Sequence, residues 1–378
     1  MSLDVTFLGT GAGFPSPSRG ASALVLRRAG QCWLFDCGEG TQTQLMRSHL
    51  RAAKITKIFI THLHGDHMFG LPGLLCTLSL QRSADAGAAP IDIYGPLGLR
   101  SFLRQSLELS HSQPVLPHRV HELVPTQDQC PAGEFRDFSG LELAQEPAGT
   151  VLRLDAETDS YLLLEDEELC VRAFRLFHRV PSFGFVLEEK PRPGKLQVRL
   201  LQELGMPPGA LYGELKRGRA VELGGGVTVR PQDVLGPPVP GRKVCVLGDC
   251  AGPVGPGARR LCGHADLLVH EATLGDGQQD MARQRGHSTP GQAAQFALQC
   301  GAARLVLTHF SQRYRGGDDM GALRSEAEAV MGGQEVTLAE DFMTIEVPVK
   351  SPRALSPQRT QRHSENEDFV TTENPMTQ

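Results

Sequence analysis

Short apolar runs, polar turns and helical stretches alternate along most of the 378-residue chain. Apolar runs of roughly four to eight residues predict buried β-strands, whereas apolar positions three and four residues apart predict amphipathic helices. In chain order, the first predicted elements are strands at 3–8, 21–28 and 31–36, a helix at 39–48 and a buried strand at 57–60. Strands and helices alternate again from 242 to about 347. This order of elements predicts an α/β protein.

The middle of the chain is less regular. The pattern there predicts a helix near 67–80 and strands at 161–164 and 168–177. The polar stretch 125–150, with Pro and Gly throughout, predicts a surface loop. Residues 351–378 are polar with few large apolar side chains, a composition typical of disorder. Residues 1–350 are therefore predicted to form the folded domain and 351–378 a disordered tail.

Four predicted strands run directly into side chains that bind metals or carry protons. The strand at 57–60 is followed by Thr61-His62-Leu63-His64-Gly65-Asp66-His67, which places three imidazoles and one carboxylate in seven positions. The other three strands end at Asp249, at His270 and Glu271, and at His309. Reactive side chains beyond the carboxyl ends of buried strands are typical of an α/β enzyme whose site lies at one edge of its sheets.

The spacing within the seven-residue run fits metal chemistry. Extended backbone aims His62 and His64 to the same side, and Gly65 lets the chain turn. Asp66 and His67 are neighbours at the predicted start of a helix, so they point in different directions and can serve a second ion. Imidazole and carboxylate ligands suit zinc, with manganese or iron as alternatives. A solvated His-rich turn is the other explanation, but four ligands at fixed offsets favour the metal site.

The charge of the chain argues against one class of function. The net charge is −5 and the pI is near 6.2, which argues against nonspecific nucleic-acid binding by the whole surface but leaves a local patch open. The segment 189–220 departs from this average, because it has seven basic and three acidic residues, a net charge of +4. A protruding basic arm can bind a phosphate backbone, although basic surface loops without a ligand are common.

Cysteine usage indicates a reducing compartment. The nine Cys are odd in number, scattered and without a C-x-x-C pair. Cys250 lies beside Asp249 and is either a ligand or a packed thiol, of which we favour the packed thiol. The first residues lack a basic region followed by an apolar stretch, and no run reaches the ~18 apolar residues that span a bilayer. We therefore expect neither secretion nor membrane insertion, and a cytosolic protein with the nucleus as a further compartment.

Taken together, these motifs resemble a known family. The run His62-x-His64-x-Asp66-His67 resembles the metallo-β-lactamase superfamily, and further blocks resemble the short form of tRNase Z, a zinc phosphodiesterase that removes 3′ trailers from precursor tRNA. These blocks are Phe7-Leu8-Gly9-Thr10-Gly11, Phe35-Asp36-Cys37-Gly38-Glu39, Tyr94-Gly95-Pro96, Ser182-Phe183-Gly184, the Gly- and Pro-rich arm, His270-Glu271-Ala272-Thr273, His287-Ser288-Thr289 and Thr308-His309-Phe310-Ser311. The arm and the two His blocks are far more specific than the metal run.

The resemblance implies a fold and a set of site residues. The fold is a metallo-β-lactamase four-layer αβ/βα sandwich with a protruding exosite arm, and the cofactor is zinc, two ions per subunit. The implied ligands are His62, His64 and His178 for one zinc, Asp66, His67 and His309 for the other, and Asp249 between them. The implied catalytic residues are Asp66, Glu271 and His287. His270 is expected to pack rather than to ligate.

The implied activity is that of an endoribonuclease. The phosphodiester 3′ of the tRNA discriminator nucleotide is cleaved, which leaves a tRNA 3′-hydroxyl and a trailer 5′-phosphate, in tRNA 3′-end processing or repair. The expected partners are tRNA or precursor tRNA and a second subunit, whose arm holds the RNA for the first subunit's site. The expected RNA contacts are Lys195, Arg199, Lys216, Arg217 and Arg313. The alternatives are another hydrolase on this scaffold, such as a thioesterase or lactonase, and a noncatalytic tRNA-binding protein.

One segment departs from the family pattern. Many members have a P-x-K-x-R-N loop that senses the tRNA 3′ end, whereas this chain has Pro15-Ser16-Pro17-Ser18-Arg19-Gly20. Because the Lys and the Asn are missing, the resemblance does not extend to discrimination between a mature CCA end and a longer trailer.

Overall fold

The protein was analysed as a computed structural model that describes residues 2–81, 89–112, 116–135, 149–224, 226–315 and 317–351. The described residues form two compact units. The larger unit comprises Met1–Arg192 and Pro240–Ser351, and the smaller one comprises Pro193–Val239. Half of the predicted loop 125–150, residues 136–148, and nearly all of the predicted tail 351–378 lie outside the described residues.

The strands and helices of the described residues follow in chain order. The strands are β1 (Leu3–Gly9), β2 (Ala23–Arg28), β3 (Gln31–Phe35), β4 (Ile55–Phe59), β5 (Ile91–Pro96), β6 (His118–Leu123), β7 (Val151–Leu152), β8 (Tyr161–Glu165), β9 (Leu169–Phe177), β10 (Ser182–Glu189), β11 (Val221–Leu223), β12 (Val227–Val229), β13 (Lys243–Leu247), β14 (Gly252–Pro253), β15 (Leu267–Glu271), β16 (Leu305–Thr308), β17 (Thr337–Leu338) and β18 (Thr344–Glu346). The helices are α1 (Thr41–Arg47), α2 (Gly65–Met68), α3 (Leu71–Gln81), α4 (Leu99–Leu109), α5 (Val198–Glu203), α6 (Ala210–Lys216), α7 (Pro231–Val234), α8 (Gly257–Cys262), α9 (Gln279–Gln284), α10 (Pro290–Cys300) and α11 (Asp318–Val330).

The larger unit contains two eight-stranded sheets. The strand order is β18-β1-β2-β3-β4-β5-β6-β7 in the first sheet and β14-β9-β10-β13-β15-β16-β17 in the second, where β8 also pairs with β9. Strands β3 to β7 are parallel to one another, as are β13, β15, β16 and β17. Parallel strands end at the same sheet edge, so the residues that follow them collect there.

Three apolar layers hold the sheets and helices together. The facing sides of the two sheets form one core, in which the rings of Phe35, Phe59 and Tyr94 stack at centroid distances of 4.7 and 5.2 Å. The outer side of the first sheet packs against α1, α3 and α4, and the outer side of the second packs against α8, α10 and α11. The predicted four-layer αβ/βα sandwich is therefore confirmed.

The predicted helix near 67–80 is present but divided. Helix α2 ends at Met68 and α3 begins at Leu71. The interruption falls at Gly70, whose backbone N–H donates to Cys37 O at 2.9 Å. A Cβ at this position would lie 2.2 Å from Gly38 O, so only glycine permits this close approach. The separate short α2 carries Asp66 and His67.

The smaller unit is a helical and hairpin insertion with its own core. Its helices α5 to α7 and its β11–β12 hairpin bury an apolar set: Leu201, Met206, Leu215, Val221, Val229 and Val234. The insertion starts and ends at adjacent points, because Gly236 N donates to Lys195 O at 2.8 Å. The observed bounds, Pro193–Val239, differ from the predicted 189–220, since the hairpin and α7 complete this core.

The revised bounds also change the charge of the insertion. Residues 193–239 include six basic and four acidic residues, a net charge of +2. Lys190 pairs with Glu165, and Arg192 lies 3.8 Å from Glu189, so both belong to the larger unit. Within the insertion, Arg217 and Arg219 both pair with Glu214. Lys195, Arg199 and Lys216 are exposed and have no ion pair among the described residues.

Among the residues that the structure describes, none of the helices combines the length and the apolar composition that crossing a bilayer requires.

A buried ion pair joins β10 to the segment before β13. Arg242 and Glu189 have side chains that are 1% and 3% exposed, and their guanidinium and carboxylate form two hydrogen bonds of 2.8 Å. Arg242 Nη1 also donates to Val347 O at 3.0 Å. Removal of one partner from such a pair leaves the other charge buried without compensation.

We therefore predict that Arg242→Ala lowers the free energy of unfolding by about 3–5 kcal/mol. Urea denaturation of the variant and the parent measures this loss. Lys190→Ala, which removes a solvent-exposed pair with Glu165, is the control and should leave the midpoint nearly unchanged. Equal effects of the two substitutions would contradict the prediction.

Candidate metal centre and active site

The seven predicted ligand side chains converge at the strand ends of the larger unit. His62 and His64 follow β4, and Asp66 and His67 lie in α2. His178 and His309 directly follow β9 and β16, and Asp249 lies two residues beyond the end of β13. Each sheet therefore contributes donors to one centre. His62, His67, His178, Asp249 and His309 are buried.

The first cluster is formed by three imidazoles. His64 Nδ1 lies 3.1 Å from His62 Nε2 and 3.1 Å from His178 Nε2. Ligands about 2.0–2.1 Å from a tetrahedral zinc ion lie about 3.3–3.4 Å from each other, so these spacings fit three corners of such a site. Burial lowers the pKa of His64 and of His178 to about 4. Neutral imidazoles with free lone pairs are the form that binds metals.

The second cluster combines imidazole and carboxylate. His309 Nε2 lies 3.1 Å from His67 Nε2 and 3.3 Å from Asp66 Oδ2, and His67 Nε2 lies 3.6 Å from the same carboxylate oxygen. Asp249 lies between the two clusters, because its Oδ2 is 3.7 Å from His62 Nε2 and 3.4 Å from His67 Nε2. The donor set therefore fits a pair of divalent ions that share one carboxylate.

Hydrogen bonds orient the imidazoles of both clusters. Asp36 accepts from His67 Nδ1 at 2.7 Å and from Thr61 Oγ1 at 3.0 Å. Thr61 Oγ1 in turn accepts from His62 Nδ1 at 3.0 Å. With each Nδ1 occupied, Nε2 is the nitrogen that faces the centre. His178 completes the pattern, since its Nδ1 donates to Gly286 O at 2.6 Å.

The sequence reasoning assigned no role to Asp36 or Thr61. Asp36 directly follows the first parallel strand of its sheet, so the signal was present: an acidic residue at the end of a buried strand. Its backbone has φ +56°, a conformation that few residues other than Gly, Asn and Asp adopt readily. The partner that makes Asp36 important, His67, is brought near only by the fold.

Glu271 and His287 form a hydrogen-bonded pair beside the clusters. His287 Nδ1 donates to Glu271 Oε1 at 3.0 Å and lies 3.7 Å from Asp249 Oδ2. Burial acts to lower the pKa of His287, but the carboxylates of Glu271 and Asp249 outweigh burial and raise this pKa to about 9. The bond to Nδ1 leaves Nε2 as the nitrogen available to the open side of the site.

Glu271 itself is held rigidly. Its oxygens accept from the backbone N–H groups of Cys250, Thr273 and Ser288 at 3.0–3.1 Å, and from Thr273 Oγ1 at 2.6 Å. Thr273 Oγ1 also accepts from His309 Nδ1 at 2.9 Å, which links the pair to the second cluster. The carboxylate therefore fixes the positions of both His287 and His309.

Two neighbouring residues pack as expected from the sequence. Cys250 is fully buried, its backbone serves Glu271, and its side chain lies in the core under α8 and α10. His270 Nδ1 donates to Glu271 O at 2.8 Å, and its ring contacts Phe296. Neither residue belongs to a cluster of possible metal ligands among the described residues.

A cavity of about 520 Å³ opens onto the centre. It is lined by site residues such as His64, Asp66, Asp249, His287 and His309, together with Phe14, Phe69, Arg179, Arg285 and Ser311. The rings of Phe14 and Phe69 are 59% and 61% exposed, which is unusual for large apolar side chains and leaves them accessible to a ligand. Arg313 is not among the lining residues, and its guanidinium donates to Ser311 Oγ and Gln278 Oε1.

Comparison with known proteins agrees with this architecture. Residues 215–310 match the beta-lactamase superfamily domain, and residues 3–112 match the anti-Pycsar protein Apyc1. The crystal structure of the metallo-beta-lactamase fold protein YhfI from Bacillus subtilis has a TM-score of 0.56 at 17% identity and covers 92% of this chain and 100% of that one. The four layers and the paired His and Asp clusters define a metallo-β-lactamase-fold protein.

Closer relatives specify the family. The human zinc phosphodiesterase ELAC protein 1 is 60% identical over 362 residues, which cover 93% of this chain and all of the relative. Ribonuclease BN of Cronobacter sakazakii is 42% identical over 349 residues, 91% of this chain and all of the relative. The crystal structure of human tRNase Z, short form, has a TM-score of 0.66 at 50% identity and covers 92% and 100% of the two chains. The chain belongs to this family of ELAC zinc phosphodiesterases and ribonucleases Z.

The contacts of Asp36 predict its effect on metal binding. Asp36→Asn keeps the side-chain size and tolerates the positive φ, but it weakens the hydrogen bond that orients His67, so zinc affinity should fall by about 10–100-fold. Competitive titration with a chromophoric chelator measures this affinity. Asp4→Asn, which changes a buried carboxylate paired with Arg27 on β1, is the matched control and should leave zinc affinity unchanged. An unaltered affinity in Asp36→Asn would refute the role of this carboxylate.

Proposed function

We propose that the chain is a zinc-dependent endoribonuclease of the tRNase Z type. It hydrolyses the phosphodiester 3′ of the tRNA discriminator nucleotide and leaves a tRNA 3′-hydroxyl, in tRNA 3′-end processing or repair. The observation that carries the proposal is the combination of two adjacent donor clusters with the Glu271–His287 pair at their edge. The names of the close relatives, zinc phosphodiesterase and ribonuclease Z, support the same activity.

The donor chemistry supports two zinc ions per subunit. His62, His64 and His178 would hold one ion, Asp66, His67 and His309 the other, and Asp249 would contact both. When bound, such a pair of ions lowers the pKa of a water molecule and neutralises phosphodiester charge. Among the donors, Asp66 has a further role, because a carboxylate at the cavity wall can hold or deprotonate the attacking water.

His287 is the proposed proton donor to the leaving group. Cleavage needs a proton for the departing 3′ oxygen, and His287 lines the cavity with Nε2 free while Glu271 holds Nδ1. The five hydrogen bonds that Glu271 accepts keep its carboxylate from turning away. The exposed rings of Phe14 and Phe69 are suited to stack on nucleobases, which supports an RNA substrate.

Two substitutions separate metal binding from proton transfer. Asp66→Ala should lose zinc and turnover together, because it removes a ligand. His287→Ala should lose about 10²–10⁴-fold in turnover and keep its zinc, because it removes a general acid. Metal content by mass spectrometry and trailer release from a precursor tRNA, with and without chelator, measure both quantities. Equal depletion of zinc in the two variants would contradict this division of roles.

The insertion is proposed to bind the tRNA body. Lys195, Arg199 and Lys216 are exposed and lack ion pairs among the described residues, so they are available to phosphates. Arg217 and Arg219 both pair with Glu214, and Arg313 is hydrogen-bonded to Gln278. These guanidinium groups are therefore less available to RNA phosphates than the three unpaired side chains. As the resemblance implies, we further propose a homodimer in which the insertion of one subunit holds RNA for the site of the other.

Complementation between two defective subunits tests this arrangement. Because the ends of the insertion are adjacent, residues 196–235 can be replaced by a short Gly-Ser linker. This variant should cleave bis(p-nitrophenyl) phosphate normally and precursor tRNA poorly. Mixing it with His287→Ala should restore tRNA cleavage, since a mixed dimer combines one intact site with one intact insertion. Equal loss on both substrates, or no restoration in the mixture, would refute the proposal.

The cellular location stays a prediction from the sequence, the cytosol with the nucleus as a further compartment. The nine free cysteines of the structure agree with a reducing environment.

A further inference from the structure

Two arginines that the mechanism leaves unused line the active-site cavity. Arg179 and Arg285 are both exposed, and neither forms an ion pair with a carboxylate in the described part of the chain. An unneutralised guanidinium beside a catalytic centre is available to an anionic ligand, and its planar donors match a phosphate in bidentate geometry.

One hydrogen bond joins the two chain segments that carry these arginines. Arg179 directly follows His178, and Arg285 directly precedes Gly286. His178 Nδ1 donates to Gly286 O at 2.6 Å, which joins the two segments. Gly286 has φ +77°, and a Cβ there would lie 2.6 Å from His178 Nδ1 and 3.1 Å from Arg179 N. The fold therefore joins the two segments through contacts between His178 and the Gly286 backbone that allow no larger residue at 286.

The position of Arg179 and Arg285 indicates which part of the cleaved RNA they lie near. Gly286 is followed by His287, the proposed donor to the departing 3′ oxygen. This oxygen belongs to the strand that stays with the tRNA body. Groups that flank His287 therefore flank the retained strand, whereas the trailer keeps the phosphorus as its 5′-phosphate on the other side of the broken bond.

We propose that Arg179 and Arg285 form a phosphate clamp on the retained strand. The clamp binds the RNA backbone phosphate on the 5′ side of the nucleotide whose 3′ oxygen leaves. This inference rests on the proposed function, since it requires an RNA substrate cleaved with His287 as the acid. The clamp positions the retained nucleotide and takes no part in bond breaking.

Kinetics on a large and a small substrate test the clamp. Arg179→Gln and Arg285→Gln should each lower kcat/KM for precursor tRNA by about tenfold, the loss of one charge-assisted hydrogen bond. Hydrolysis of bis(p-nitrophenyl) phosphate should stay within about twofold of the parent, because this diester has no neighbouring phosphate. Arg283→Gln is the matched control, since Arg283 is exposed on α9 and does not line the cavity. It should behave as the parent on both substrates.

Salt dependence supplies a second readout that a structural role would not change. The slope of log kcat/KM against log salt should become shallower by about 0.7 for each lost phosphate contact on single-stranded RNA. Arg→Lys substitutions should recover this slope in part, because they keep the charge.

A chemically neutral linkage identifies the phosphate. A precursor with a methylphosphonate on the 5′ side of the cleaved nucleotide should be a poor substrate for the parent, and Arg285→Gln should add no further loss. A methylphosphonate at the first linkage within the trailer should leave the loss from Arg285→Gln unchanged. The clamp would be overturned if the methylphosphonate on the retained strand and Arg285→Gln lowered kcat/KM additively. It would also be overturned if the Arg→Gln variants lost as much activity on the small diester as on tRNA. If the parent itself failed to cleave precursor tRNA, the proposed function would fall instead.

Discussion

The Nε2 atoms of His67 and His309 lie 3.1 Å apart in a buried site and cannot hydrogen-bond to each other while both Nδ1 atoms are donors, and the rest of the structure depends on this constraint. In each cluster, hydrogen bonds occupy Nδ1 of His62, His67, His178 and His309 and direct Nε2 inward. A cation between two such nitrogens can bind both lone pairs. Without it, two buried hydrogen-bond acceptors would face each other unsatisfied, which costs free energy. The groups that hold these orientations are Asp36, Thr61, Thr273 and the carbonyl of Gly286. Asp36 N donates to Phe59 O in the first sheet, and Thr61 O accepts from Phe183 N in the second.

The two-sheet architecture brings the predicted ligands together, because strands of both sheets end at the same edge. Strands β4, β13 and β16 are short and apolar and end at residues whose side chains meet beyond the core. The same edge carries Glu271 at the end of β15, its partner His287, and the 520 Å³ cavity that gives access to the pair. The predicted ligands and the Glu271–His287 pair thus lie at strand ends, in the loops that follow them and in α2, and the packed layers keep the distances among these segments constant.

Several features of the site were predictable from residues that lie close together in the chain. Three imidazoles and a carboxylate in residues 62–67 indicate a metal site by their density, and the apolar runs before them predict strands. Features that depend on contacts distant in the chain were not predictable in this way. Asp36 and His67 are 31 residues apart, and Arg179 and Arg285 line one cavity in segments that the hydrogen bond between His178 and Gly286 joins. The insertion shows the same limit, because its core needs the hairpin at 221–229, whose composition resembles an ordinary loop.

The sequence by itself determined the class of fold, the kind of metal ligands and the family resemblance, since each depends on local periodicity or on short motifs whose chemistry is set by residue type. Only the tertiary structure decided which side chains orient the ligands, which arginines reach the cavity and where the insertion begins and ends. The physical reason is that distance along the chain does not determine distance in space once two sheets pack face to face. Hydrogen-bond partners and unpaired charges are properties of that packing.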